Sequence, residues 1–395
     1  MNILKRIKRK YDKNTYHPAT TMSFNKLYKG LMERVDLGFI NVQRGLGLEI
    51  FSYSKSCVYD GAWDKFTLMA RGLILDPKNK RITGLCFEKF FNFGEVSTQL
   101  PDLPFTTSIK YDGSLGLVFY HDGWWRVATK GSFLSGQAEW ATRWLHQNIT
   151  TTLLDTNITY LTEIIYHQNK IVVSYPFEGL VLLSGYYLDS GLELTRNEII
   201  TKGHMIGLKI AKEEKYDSLD EMIEIAETLD VNNEGWVVRF SNGYRIKIKC
   251  AEYCRVHRLI SNCTPLAIWD MMRNLDDLDV IRVDLPEEHR RDFDQIRDLL
   301  QKKFDDYVKI IKDFYEAMKH LTDKELGLFL KGITDFAIAK RFVWACRKNN
   351  FLEEVNTAPG DSSKHARHAL FETFRPTGNV LPGFKESSAE DRFDL

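Results

Sequence analysis

Six cysteines in 395 residues, at irregular spacing, exclude the disulfide framework of a small secreted domain. No apolar run reaches the roughly 18 residues that a membrane-spanning helix needs. The basic opening, Met1 to Lys10, is followed by no apolar stretch of the kind that marks a secretory signal. Net charge is zero, with 54 basic and 54 acidic side chains, which excludes a protein that coats nucleic acid by bulk attraction. A local basic cleft remains open, because phosphate binding depends on where the charges sit. There is no internal repeat, no low-complexity run and no Walker motif, so a solenoid and an ordinary P-loop ATPase are set aside. These absences point to a soluble protein of a reducing compartment, cytoplasmic or nuclear and away from membranes; a cytoplasmic monomer is expected.

Hydrophobic residues make up 44% of the chain and charged residues 27%, the balance of a globular protein with a large core. From about 35 to 250, short β-branched and aromatic runs alternate with turns, as at 72–77, 116–120, 124–129, 171–175 and 179–183. Helices are expected over 136–148 and over 219–229, the latter capped by Asp217 or Ser218. Beyond about 252 the apolar spacing becomes three and four, over 255–274, 286–321, 322–330 and 334–347. The expected fold is α+β: a domain of mixed or antiparallel sheets over 1–254, then an all-helical domain over 255–395. The end from about 356 is rich in Pro, Gly, Ser and charge, and is expected to pack loosely. Cys250, Cys254, His257 and Cys263 have a spacing that suggests zinc, but their place on a helix after a strand reads as core packing.

The chemistry concentrates on lysines. Lys110-Tyr111-Asp112-Gly113-Ser114 puts an amine at the end of a β-rich run, with a carboxylate two residues on. A lysine amine forms covalent intermediates once it is held unprotonated. Further on, Asn242-Gly243 marks a hairpin turn. A two-residue loop would set Val238 opposite Lys247 and Trp236 opposite Lys249, with Glu234 ending the same face. Strand alternation puts Lys247 and Lys249 on one face and Ile246 and Ile248 on the other. Two neighbouring ammonium groups and a carboxylate suit a polyphosphate and its metal.

These pieces stand with Ala70-Arg71-Gly72, Glu88-Lys89-Phe90-Phe91-Asn92, Thr129-Lys130-Gly131-Ser132, Thr162-Glu163-Ile164-Ile165-Tyr166, Asn169-Lys170-Ile171-Val172 and Glu234-Gly235. In order and spacing, over roughly 50 to 255, the set resembles the covalent nucleotidyltransferase superfamily of ATP-dependent ligases and capping enzymes. Within it, the set resembles the phage-type RNA ligase 1 family of tRNA repair. The resemblance implies an ATP-dependent RNA ligase that joins 5′-phosphate and 3′-hydroxyl ends, with a nicked tRNA as the expected substrate. It implies Lys110 as the nucleophile that takes AMP, with Lys247 and Lys249 on the phosphates. It implies ATP contacts from Arg71, Lys89, Lys130, Glu163 and Glu234. Asp112, Glu163, Glu234 and Asp276 would serve Mg²⁺ or Mn²⁺, mostly through water. Arg71, Lys89, Lys130 and Tyr253 would contact RNA or its phosphates. A DNA ligase, an mRNA guanylyltransferase and a non-catalytic RNA end-binding protein are the alternatives. The first two usually carry an OB-fold after the nucleotide-binding domain, where this chain reads as helical.

Overall fold

The computed structural model describes residues 16–95, 99–261, 263–348, 350–357, 365–377 and 380–384. The basic run Lys5–Lys10 and parts of the chain end therefore lie outside the described residues. The chain divides into two compact units, Met1–Cys254 and Arg255–Leu395.

The first unit contains the strands β1 (Ile40–Gly45), β2 (Leu48–Tyr53), β3 (Arg71–Asp76), β4 (Arg81–Gly84), β5 (Phe91–Asn92), β6 (Phe105–Ile109) and β7 (Ser114–His121). There follow β8 (Trp124–Thr129), β9 (Ile158–Ile165), β10 (Gly179–Tyr187), β11 (Lys209–Ile210), β12 (Glu213–Glu214), β13 (Gly235–Phe240) and β14 (Arg245–Lys249). They form three sheets, ordered β1-β2-β3-β4, β11-β10-β9-β7-β8 and β12-β6-β13-β14-β5. Pairing is antiparallel except between β10 and β11 and between β14 and β5. The α+β expectation is met, with mixed sheets.

Local chemistry explains the elements near the site. The helix Gly136–Asn148 starts where the Ser135 hydroxyl accepts the Ala138 N–H, and it buries Ala138, Ala141 and Leu145. The helix Leu219–Ala226 starts from a Ser218 cap and ends three residues short of the expected 229. The run at 171–175 is not a strand. Its amides are turned inward to a side chain instead, and β-propensity yields to that contact.

The hairpin register also differs from the expectation. Its loop has three residues, Ser241–Gly243. The Phe240 N–H donates to the Tyr244 carbonyl, and Asn242 Oδ1 accepts the Tyr244 N–H. Gly243 takes the left-handed conformation, φ +81°, which closes such a loop. Val237 therefore lies opposite Lys247 and Gly235 opposite Lys249, one step from the two-residue register. Trp236, Val238, Ile246 and Ile248 share the opposite, buried face. Alternation along β14 alone separates the lysines from the isoleucines, so that part of the expectation holds.

The second unit is helical. Its long helix, Glu287–Met318, is followed by Asp323–Gly332 and Ala337–Lys348. Pro265 starts a new helix, Pro265–Asn274, within the expected 255–274 run, because Thr264 caps it. The chain end is not loose over its whole length. Helix Ala366–Phe371 buries Ala366, Arg367, Leu370 and Phe371 in the unit's core. Arg367 explains why a charged stretch packs there. Its guanidinium donates to the carbonyls of Met272, Arg273 and Val355 and lies 4.8 Å from the Phe304 and Phe371 rings. Backbone oxygens at helix ends, rather than a carboxylate, satisfy this cation. Arg367→Met should lower stability by about 2–4 kcal/mol, because three buried carbonyls lose their donors. Chemical denaturation should show the loss, and a change below about 0.5 kcal/mol would refute this role for Arg367.

Candidate active site

The site is built where β6 ends. The Lys110 N–H still donates to the Gly235 carbonyl, 2.8 Å, so its side chain leaves the sheet from a fixed backbone. Lys110 Nζ lies 2.6 Å from Glu234 Oε2, and Lys249 Nζ lies 3.0 Å from Glu234 Oε1. One buried carboxylate is thus shared by two ammonium groups. Glycines allow the close packing. A Cβ on Gly235, φ +122°, would sit 2.1 Å from the Ile248 carbonyl, and one on Gly113 would sit 2.5 Å from the Ile164 carbonyl.

Lys110 and Lys247 line a cavity of about 720 Å³ with Arg71, Phe90, Glu163 and Val237. The Arg71 guanidinium and the Lys247 amine lie 5.1 and 5.0 Å from the centre of the Phe90 ring. Lys89 is held among Tyr53, Trp63 and Phe91, and Lys130 lies 4.4 Å over Tyr53. Aromatic faces thus hold these cations, with Lys89 also 4.0 Å from Glu95 Oε1. Neither Arg71 nor Lys247 makes an ion pair among the described residues, and Arg71 Nη1 is buried without a hydrogen-bond partner. Burial pushes the Lys247 amine down to about 7, helped by Arg71, Lys89, Lys110 and Lys249. Burial, then Arg71, lowers Lys130 as well.

Glu163, on β9, accepts the Gly113 N–H through Oε1. Burial raises its carboxyl to about 7, opposed by Lys110 and assisted by Glu234. A cation arriving beside it would favour the ionised form. Glu163 and Glu234 are the carboxylates that would meet a divalent cation held mainly by phosphate oxygens and water.

Asp112 does not fit that role. Its Oδ2 accepts the N–H groups of Val172 and Val173, and its Oδ1 accepts the Tyr253 hydroxyl, 2.7 Å. The carboxylate is buried and committed to three donors, so it clamps the loop at 171–175 beneath Lys110. Tyr253 is likewise no RNA contact: it is 2% exposed, with its hydroxyl turned to Asp112. Asp276 lies in the second unit, exposed, just past the helix Pro265–Asn274. Among the described residues no three His, Cys, Asp or Glu side chains cluster as a metal site. Sequence reasoning missed the ring seats Tyr53, Trp63 and Phe90, although Phe90 stands inside the Glu88–Asn92 element.

Residues 69–253 match the model of a family described as RNA ligase. That match bears out, over this segment, the resemblance to the phage-type family carried by the motifs. A protein of Thermovibrio ammonificans provisionally named an RNA ligase is 28% identical over 207 residues, 47% of this chain and 52% of that protein. The chain thus matches about half the length of that curated relative. Among solved structures, a Naegleria gruberi RNA ligase with ATP and manganese shares 18% identity, covering 39% of this chain and 51% of that one, with a TM-score of 0.34. An archaeal ATP-dependent RNA ligase shares 14% identity, covering 70% and 79%, with a TM-score of 0.44.

The pKa of Lys247 has a consequence for stability. An amine held near 7 in the folded state, against about 10.4 unfolded, penalises folding fully below pH 7. The penalty fades as pH rises toward 10. Lys247→Met should therefore stabilise the protein at pH 7, on the order of 2 kcal/mol once water at the cavity is allowed for, and the gain should vanish by about pH 10. Thermal unfolding across that range checks it. A gain independent of pH would show that burial of the stem, not of the charge, is responsible.

Proposed function

We propose that this chain is an ATP-dependent RNA ligase whose first unit, 1–254, is the adenylyltransferase domain. The observation that carries the reading is the half-buried cation pair Arg71 and Lys247, neither of which makes an ion pair among the described residues, lining one cavity with the Lys110 amine at the end of a strand. The family match over 69–253 includes the site residues from Arg71 to Tyr253.

Lys110 Nζ, after giving a proton to Glu234 Oε2, 2.6 Å away, or to water, attacks the α-phosphorus of ATP. A nitrogen–phosphorus bond forms, the bond to the bridging oxygen breaks, and pyrophosphate leaves. Lys249 and Lys247 carry the charge on the phosphates, and Arg71, Lys89 and Lys130 bind the outer phosphates or the RNA 5′-phosphate. Glu163 and Glu234 would hold Mg²⁺, with Mn²⁺ as an alternative; the ion neutralises phosphate charge when bound. AMP then passes to the RNA 5′-phosphate, and the 3′-hydroxyl displaces it to form the phosphodiester. Lys247 needs a proton to hold phosphate, and the arriving anion supplies the reason to take one up. The substrate on this reading is RNA with 5′-phosphate and 3′-hydroxyl ends, a nicked tRNA among the candidates, sealed by a monomer in the cytoplasm.

Incubation with labelled ATP and Mg²⁺ should place one AMP on Lys110, and Lys110→Ala should abolish it. Lys249→Ala should slow the step by at least ~10²-fold, since it removes a charge from a desolvated phosphate site. Labelling by GTP and not ATP would replace this reading with a capping enzyme, and labelling by neither would sink it.

A further inference from the structure

Past the end of β6 the chain leaves the sheet ladder, so its amides need acceptors from elsewhere. The Gly113 N–H goes to Glu163, a carboxylate that would also meet the cation. The Asp112 N–H goes to the Tyr175 hydroxyl at 2.8 Å, its one partner among the described residues. Tyr175 ends the loop at 171–175, whose Val172 and Val173 amides are taken by Asp112 Oδ2. The tie therefore runs both ways. Asp112 accepts two amides from the loop, and the loop's tyrosine accepts the amide of Asp112.

The Tyr175 ring makes a second contact. Its centroid lies 5.6 Å from that of Tyr111, with the planes 35° apart, and 5.6 Å from that of Phe177. Phe177 is held in turn by Lys209, whose Nζ lies 3.7 Å from the ring centre. Tyr111 lines the cavity beside Lys110. One side chain thus touches both residues that follow the nucleophile, Tyr111 with its ring and Asp112 with its hydroxyl. Burial pushes the Tyr175 phenol above its usual range, so this acceptor stays neutral. A carboxylate in the same place would favour the ammonium form of Lys110, which cannot attack.

We propose that Tyr175 is a positioning residue for the first chemical step: its hydroxyl fixes the turn that aims Lys110 at the α-phosphorus, and its ring backs the Tyr111 wall of the cavity. The proposal rests on the RNA ligase reading. Tyr175 is not among the residues that line the cavity, so it acts through Asp112 and Tyr111. In-line attack tolerates little misplacement of the amine, and an amine on a long stem depends on the backbone that carries it. The hydroxyl contact matters while Lys110 is the attacking group. Sealing of a strand that already carries AMP has the RNA 3′-hydroxyl as the attacking group and does not call on the aim of Lys110.

The test uses the full chain, with labelled ATP and Mg²⁺ in single turnover, and separately a 5′-adenylated oligoadenylate sealed without ATP. Tyr175→Phe keeps the ring and loses the acceptor, which leaves the buried Asp112 N–H unpaired. It should slow adenylation of Lys110 by about tenfold or more, with the half-saturating ATP concentration within about twofold of the parent. Its sealing of the adenylated strand should stay near the parental rate. Tyr175→Leu removes the ring as well and should add a several-fold rise in the half-saturating ATP concentration. If Tyr175→Leu fails to fold, Tyr175→Phe decides alone. Parental adenylation by Tyr175→Phe overturns the proposal. Equal losses in adenylation and in sealing of the adenylated strand overturn it too, since they mark a merely structural tie. A parent that neither adenylates nor seals removes the ligase reading beneath it.

Discussion

Placing like charges side by side in a half-buried cavity is the constraint around which the first unit is organised. Arg71, Lys89, Lys130 and Lys247 repel one another, and burial makes that repulsion stronger. A folded chain keeps such a cluster only if the surrounding framework leaves it no escape. Here the framework is three sheets, with Arg71 opening β3, Lys130 just past β8, Lys89 just before β5 and Lys247 within β14, each cation set against a ring. Ring faces hold a cation without neutralising it, so the positive potential in the cavity survives. Lys89 also reaches Glu95, at 4.0 Å, and Glu234 is divided between Lys110 and Lys249.

This arrangement separates holding from neutralising. Had Lys247 or Arg71 a carboxylate partner, an incoming phosphate would have to displace it. Glu193 illustrates the contrast: it is buried with Arg239 and Arg245 in paired ions. The chain is therefore able to satisfy buried arginines, yet among the described residues Arg71 and Lys247 make no ion pair. A site whose stability is reduced by its own charges is the usual trade between stability and function.

Much of the site was legible because strand alternation and short motifs are local. Lys247 and Lys249 share a face whatever the hairpin loop, since a period of two needs no partner strand. The cross-strand register needed knowledge that Asn242 would cap Tyr244 and leave a three-residue loop, which the dipeptide Asn-Gly does not contain. The same limit explains Asp112. The family resemblance implies a metal ligand, and only the fold shows that Val172, Val173 and Tyr253 already occupy three of its lone pairs. The run at 171–175 looks like a strand for its β-branched residues, yet those residues supply amides to Asp112. Loose packing was expected near the chain end from its composition, and it is Arg367, a charged residue, that anchors it.

The clamp on Asp112 also accounts for the K-x-D-G spacing in physical terms. Lys110 must end a strand so that its amine projects into the cavity, while the next residues must turn sharply away. Gly113 permits the turn against the Ile164 carbonyl, and Glu163 accepts its N–H. Asp112, between them, faces the opposite way and ties the turn to the loop at 171–175 and to Tyr253. Tyr253 follows Lys249 by four residues, so the same tie joins the end of β14 to the end of β6. The two lysines that flank Glu234 are thereby held by that carboxylate, and the chain around them by the Asp112–Tyr253 hydrogen bond. An amine on a four-carbon stem has little intrinsic order. Lys110 gains its order from Glu234 at its head and from the turn that Asp112 ties down.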